Sequence, residues 1–397
     1  MKRRISALIK IAFGLVFAYL LWFYFGKKHS GEGQHQTFGG GESSIRDNLN
    51  LISRCESLYG SILIIQFVSD ARYARDTVHN ALQTVRCYAQ FRGYELLQIV
   101  WNDGYEIEFR NVSLSKQKTA ILKHVIQDCR ETNKTQLLVL RHCVVRKLLP
   151  HYSYVIHLDA DTGIVNPSRC IEEFVEPGVN IHLQLRFKTG EIQAGHYILR
   201  NSSTADKFLS NWLHIMKEKK FDQTFLHTAL ADTFLPSSVS RMCAQYGRFS
   251  YWRSVKCVVT RLRDHHHGEE GNNKQKTGLL IYARAHGFAR DGWLTGQKWS
   301  DKDFMLHAMK EKYDVLFKRK LHDSDCLNPS LKNNALGINN SVWNGRIMMK
   351  KQFEVLNVDD VKHLWKRLDR KYFAREEENA IHERVGGCWP YCNHLVV

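Results

Sequence analysis

Two carboxylates separated by one small residue close the run Val155-Ile156-His157-Leu158-Asp159-Ala160-Asp161. In extended backbone, residues i and i+2 project to one side, so Asp159 and Asp161 can converge on one hard cation, Mg²⁺ or Mn²⁺. Such a cation can hold the two phosphates of a nucleotide-diphosphate sugar and offset the charge that grows on a departing diphosphate. Two other Asp-x-Asp triplets occur, Asp301-Lys302-Asp303 and Asp323-Ser324-Asp325, but only the first ends an apolar run and has a small middle residue. The competing reading is an acidic turn, because Asp and Gly favour turns.

The surrounding pattern supplies a frame for that pair. The β-branched run Ser61–Val68 reads as a buried parallel strand. Residues 74–92, 115–130 and 137–149 show helical spacing, and Pro150 stops the last of them. Tyr94–Trp101 and Tyr152–Leu158 are further strand candidates. Strands alternating with helices predict an α/β domain with a mainly parallel sheet, whose ligands bind beyond the carboxyl ends of the strands. Asp159 stands at such an end. Residues 264–277, which include His265-His266-His267, read as a solvated loop rather than a metal site, and residues 359–383 as a helix.

A content of 44% hydrophobic residues suits one large domain or two closely packed ones. The net charge of +17 reads first as a generally basic, soluble surface and otherwise favours acidic partners such as diphosphates, anionic lipids or sulfated glycans. The basic residues are spread along the chain without a nucleic-acid module, so nucleic acid is not expected as a partner. The run Ile5–Phe25, interrupted by Ser6 and Lys10, would make a helix about 32 Å long, enough to cross a bilayer. Met1-Lys2-Arg3-Arg4 ahead of it favours a cytoplasmic N-terminus, and no small-x-small cleavage site follows. The expected order is a tail (1–4), a membrane signal anchor (5–25), a flexible stem (26–55), a catalytic domain (56–312) and a C-terminal extension (313–397). That topology places the domain in the Golgi or endoplasmic reticulum lumen. Four Asn-x-Ser/Thr sequons, at Asn111, Asn133, Asn201 and Asn339, agree with it. The ten cysteines lack a CxxC pair and can form disulfides there, with a connectivity that sequence does not reveal.

Residues 141–167, from Arg141-His142-Cys143 to Asn166-Pro167, resemble a large nematode family of uncharacterised type II membrane proteins with a glycosyltransferase-like core. More distantly they resemble the α-galactosyl/xylosyltransferases of the GT-A fold. Ala194-Gly195-His196-Tyr197, Asp222-Gln223-Thr224-Phe225-Leu226-His227, Ala289-Arg290-Asp291-Gly292-Trp293-Leu294-Thr295 and Trp299–His307 match further segments in order, over roughly residues 61–310. The resemblance implies a GT-A-like sheet flanked by helices, a divalent metal and a UDP-sugar donor, with Asp159 and Asp161 as ligands. His307 is the expected third ligand and His286 the second choice; the alternative for His307 is a helix-face histidine. Asp222 would orient the acceptor or stabilise a positive, sugar-like transition state, or cap a helix, or both. Gln223 would contact the sugar, Arg141 the phosphate or donor, and Gln66 and Ser69 the nucleoside.

Departures from that family include Leu185 before the Ala194-Gly195 segment, His196 in place of a serine, and Gln223-Thr224 in place of Asn-Gly. Two readings follow. One is a metal-dependent hexosyl- or pentosyltransferase acting on a lumenal glycan or glycoprotein. The other is an inactive glycan- or partner-binding protein on the same scaffold. A hydrolase is disfavoured because GxSxG, HExxH and Cys/His signatures are absent.

Overall fold

The computed structural model describes residues 60–102, 106–112, 114–133, 137–167, 169–216, 222–268, 278–300, 302–310, 320–322, 357–373 and 395–396. The expected anchor and stem lie outside the described residues. Among the described residues no helix is long and apolar enough to cross a membrane. Everything described belongs to one compact unit, Asn50–Val397.

The chain begins with strand β1 (Ile62–Val68), helices α1 (Ala71–Asp76) and α2 (His79–Arg92), and strands β2 (Glu95–Asn102) and β3 (Glu106–Val112). Helices α3 (Lys116–Asn133) and α4 (Leu137–Leu148) follow, then β4 (Tyr154–Asp159), β5 (Gly163–Ile164), β6 (Ile181–Gln184) and β7 (His196–Arg200). A helical block comes next: α5 (Ser203–Met216), α6 (Asp222–Phe234), α7 (Ser237–Gly247) and α8 (Tyr251–Gly268). Strands β8 (Leu279–Tyr282), β9 (Ala289–Asp291) and β10 (Met305–His307), helix α9 (Val358–Phe373) and strand β11 (Leu395–Val396) complete it.

The main sheet has eight strands in the order β11-β8-β6-β7-β4-β1-β2-β3. Strands β2, β1, β4, β6 and β8 run one way; β3, β7 and β11 run the other. The fold is therefore mixed α/β with a mostly parallel sheet. The parallel centre explains the uninterrupted burial of β1, which is covered on both faces. One face packs on α3 to α8 through Leu63, Ile65, Val155, Tyr197, Trp212 and Leu230. The other packs on α2 and the 3-10 turn Ile171–Phe174 through Ile64, Tyr88, Ile156 and Phe174.

Several expected elements take a different form. The 74–92 helix is two helices, broken where Thr77 and Val78 leave helical dihedrals. The expected loop at residues 264–277 begins as helix, since α8 continues through the histidine run to Gly268. The strand β3 pairs antiparallel with β2 at the sheet edge. Residues beyond 312 add to the main body: β11 pairs with β8, and Val361 and Trp365 of α9 pack on Phe187 and Ala285.

Disulfides Cys129–Cys143 and Cys243–Cys257 tie α3 to α4 and α7 to α8, and no described cysteine is free. Two fully buried histidines serve as acceptors of backbone N–H groups. His182 Nε2 accepts from Glu176 (3.0 Å) and His227 Nε2 from Ile192 (3.0 Å). Burial lowers their pKa values to about 4 and about 3. Between there and the unfolded value near 6.5 the unfolded chain binds more protons, so their stabilisation is complete above pH 6.5 and fades as pH falls. Each histidine is expected to cost about 1.4 kcal/mol per pH unit below roughly 6.5. Urea midpoints at pH 7 and pH 5 check this, and equal midpoints would refute it.

Candidate metal centre

Asp159 is the last residue of β4, and Asp161 sits in the tight turn that follows, closed by Thr162 N–H to Asp159 C=O (3.0 Å). The two acids thus converge through a turn rather than through the continuous extended backbone expected from their spacing. A buried glutamine ladder holds this turn from below. Gln98 Nε2 donates to Gln66 Oε1 (2.9 Å), and Gln66 Nε2 donates to the carbonyls of Asp159 and Thr162, both at 3.2 Å. Gln66 is wholly buried. Its amide nitrogen is committed to the acidic turn, away from the nucleoside contact expected of it. Gly195 lies directly against Asp159, and a Cβ at that position would fall on the carboxylate. Only glycine allows the β7 entry to pass so close.

A second, three-stranded sheet, β5-β10-β9, completes the centre. Leu306 and Met305 of β10 pair with Gly163 and Ile164, immediately after the acidic turn. On its other side β10 pairs with β9, with His307 in register with Asp291. That register puts His307 Nδ1 2.7 Å from Asp291 Oδ1, and directs Nε2 toward both acids, 3.4 Å from Asp161 Oδ1 and 3.7 Å from Asp159 Oδ2. The chain then turns at Ala308, whose φ of 65° is left-handed. The turn lets Met309 N–H reach the Asp161 carbonyl (2.8 Å) and Lys310 Nζ approach Asp161 Oδ2 (3.3 Å). His307 is on a strand, so the helix-face alternative does not hold.

His196, the first residue of β7, is fully buried, with Nε2 bonded to the Thr162 hydroxyl. Its ring meets that of His307 edge-on at 4.9 Å. Ligand-type atoms of Asp159, His196 and His307 all lie within 4.8 Å of one another. The donor set passes a chemical test for a divalent cation. Carboxylate oxygens and one imidazole lie 3.4–3.7 Å apart, close to the separation of adjacent ligands on an ion at about 2.0–2.2 Å from each. The histidine's second nitrogen is held by a carboxylate, as metal-ligating imidazoles commonly are.

Arg141, on α4, stands between two acids. Its Nη1 donates to Asp159 Oδ1 (2.7 Å) and its Nη2 to Asp222 Oδ2. Asp222 opens α6, accepts from Gln223 N–H (2.7 Å) and lies 3.1 Å from His142 Nε2. Asp222 thus spends its carboxylate on Arg141, His142 and the N–H of the next residue. Gln223 turns away from the acids: its oxygen accepts from Ala194 N–H (2.9 Å) and its amide donates to the Ile192 carbonyl (2.6 Å). Ser69 is exposed and donates to Asp70 (2.9 Å), the N-cap of α1. His286 belongs to the lining of a separate cavity of about 230 Å³, with Arg169, Glu173 and Lys302.

Charge complementarity governs ionisation here. Burial would raise the pKa of Asp159, but Arg141, His196 and His307 outweigh it and hold it low. Asp161 is likewise buried yet held well below the carboxylate range by His307 and Lys310. Burial opposes charge on His307 too, but Asp161 and Asp291 raise its pKa to about 10. Burial first, and the charge on His307 second, keep His196 neutral, lowering its pKa to about 3.

The sequence pattern did not single out His196, Asp291 or Lys310 as members of the centre. His196 registered as a departure from a serine, and Asp291 only as part of a motif. The one available signal, for His196 and Asp291 but not for Lys310, was their place in the short segments that follow the acidic pair in order.

The family described as "Protein of unknown function, DUF273" matches residues 85–322. No curated protein matches the chain. A solved structure described as "Crystal structure of a glycosyltransferase involved in the glycosylation of the major capsid of PBCV-1" is similar over 42% of this chain and 74% of its own. The identity is 15% and the TM-score 0.27.

Replacing Arg141 by Met leaves Asp159 and Asp222 without their shared cation. The expected loss of stability is about 3–5 kcal/mol, the usual cost of breaking a buried ion pair. Adding Asp222→Asn should recover part of it. Denaturant titration of both variants checks this, and a single variant as stable as the parent would refute the pairing.

Proposed function

The chain belongs to the DUF273 family, and we propose that it is a metal-dependent glycosyltransferase using a nucleotide-diphosphate sugar, with UDP as the nucleotide. The observation that carries this reading is His307, aimed by Asp291 at both carboxylates of the strand-end acidic pair. Asp159, Asp161 and His307 would hold Mn²⁺ or Mg²⁺, with His196 beside them. The bound cation supplies charge neutralisation for a diphosphate leaving group.

The chain's own residues prepare the rest. Lys310 is part-exposed beside Asp161 and can meet a phosphate oxygen as a point charge. Arg141 fixes the orientation of Asp159 by occupying one oxygen and leaving the other toward His307. Asp222 holds Arg141 and is therefore a positioning residue in this reading, rather than the group that touches the sugar. Gln223 is another: by bracing residues 192–194 it sets the path of Gly195 and His196. The acceptor in this proposal is a lumenal glycan or glycoprotein. The setting is the Golgi or endoplasmic reticulum, reached through the anchor expected at residues 5–25.

Two measurements test the proposal. Incubating the full chain with a panel of UDP-sugars and Mn²⁺ should give transfer or slow hydrolysis that EDTA abolishes and added Mn²⁺ restores. Asp161→Asn and His307→Ala should each lower turnover at least 100-fold without loss of fold. Activity that persists in both variants, or in EDTA, would remove the proposal. Separately, Asp291→Ala should weaken Mn²⁺ binding 10–100-fold by calorimetry, the usual effect of removing a carboxylate behind a metal-bound histidine. Unchanged affinity would remove His307 from the ligand set.

A further inference from the structure

Among the described residues four large hydrophobic side chains are prominently exposed, and three of them occupy one corner. Tyr246 (42%), Phe249 (77%) and Trp252 (50%) lie where α7 turns into α8; the fourth, Trp293, is elsewhere. The corner is tightly wound: Phe249 and Ser250 N–H both bond the Tyr246 carbonyl, and Arg253 N–H bonds that of Ser250. The helices behind it are joined by Cys243–Cys257 and rooted in the core through Cys243, Val255, Val258 and Leu262. The rings are thus carried on a braced support.

The charge around them is one-sided. From Leu235 to Arg263 the sequence holds five arginines, one lysine and no acidic residue. Arg241, Arg248 and Arg253 are exposed and have no ion-pair partner among the described residues. Arg261 and Arg263, farther from the corner, approach Asp264 at 3.9 and 3.7 Å.

We propose that the α7–α8 corner is a membrane-docking element that inserts Phe249 and Trp252 at the headgroup boundary of an anionic phospholipid surface, with Arg248 and Arg253 at the phosphates. The chemistry selects this occupant. A soluble polyanion would satisfy the arginines but leave the Phe249 ring, which has no polar atom, in water. An apolar protein groove would cover the rings but leave the arginines unmatched. A lipid interface satisfies both, and interfacial segments combine aromatic rings with basic side chains for that reason. The sequence also offers a bilayer as a partner: the apolar run Ile5–Phe25, upstream of the described residues, is long enough to span one. The inference does not depend on the catalytic proposal.

The test uses the full chain reconstituted in vesicles containing brominated phospholipid. Subtracting the signal of Trp252→Phe isolates Trp252, so the tryptophan in the expected anchor cancels. Trp252 should be quenched at least two-fold more on vesicles with 30% anionic lipid than on zwitterionic ones. That quenching should fall at least two-fold in Arg248→Glu/Arg253→Glu. Phe249→Ser, at a highly exposed position, should weaken quenching while leaving the melting temperature unchanged. Trp252 left unquenched on both vesicle types, or quenching unaffected by the charge reversal, would overturn the proposal. So would a Trp252 response to soluble heparin without quenching by vesicles, which would assign the corner to a soluble polyanion.

Discussion

Arg141 touches two carboxylates that belong to different parts of the chain, and the arrangement of the centre depends on that contact. Each ionised carboxylate withdrawn from water costs several kcal/mol unless a cation and hydrogen bonds replace the lost hydration. Asp159 ends the central strand, and Asp222 opens a helix of the block that follows it. A guanidinium is always charged and offers donors in a fixed fork, so one side chain compensates both acids and sets their separation. With one oxygen of Asp159 so occupied, its other oxygen is directed at His307. Lysine could supply the charge but not the fork.

The second constraint is the union of two sheets. The main sheet delivers Asp159, and the small sheet delivers His307 and Asp291. The turn Ala160–Thr162, braced by Gln66 and Gln98, bridges them covalently beside the acidic pair. The small sheet is secured by Arg290, which is buried and bonds Asp303, Thr295 (2.9 Å) and the Lys298 carbonyl (2.7 Å). The same guanidinium lies 5.4 Å from the Trp365 ring of α9. A helix late in the chain thus supports the loop that aims the imidazole. Left-handed backbone at Gln297 and Ala308 (φ 64° and 65°) falls in this same stretch. Such conformations cost about 1–3 kcal/mol each and persist where surrounding structure imposes them.

The parallel centre of the fold was legible because β1 and β4 are continuous apolar runs, a pattern that needs no partner to recognise. The acidic pair was legible for a related reason: its meaning comes from the strand directly before it. What escaped was set by distance along the chain. Asp291 looks like any acid in a loop until β9 pairs with β10. Gln66 looked available for a ligand because it nears a strand end, but β1 is flanked on both sides and its buried side chain bonds Gln98 and the acidic turn. Gln223 likewise spends its amide on a backbone segment some thirty residues away. The histidine run was misjudged because solvated composition says little about helix when α8 is already propagating from an amphipathic start.

Residue order along the chain has a consequence for biosynthesis. The acidic turn and His307 are separated by roughly 150 residues, so at about 5–20 residues per second a ribosome completes the first on the order of ten to thirty seconds before the second. During that interval the acidic turn exists without the histidine that faces it in the folded chain. Closure awaits β10, and firm support awaits α9. A chain released early by a premature stop would carry the Asp159-Ala160-Asp161 motif without the histidine that faces it, so the motif alone is a poor marker of a complete centre.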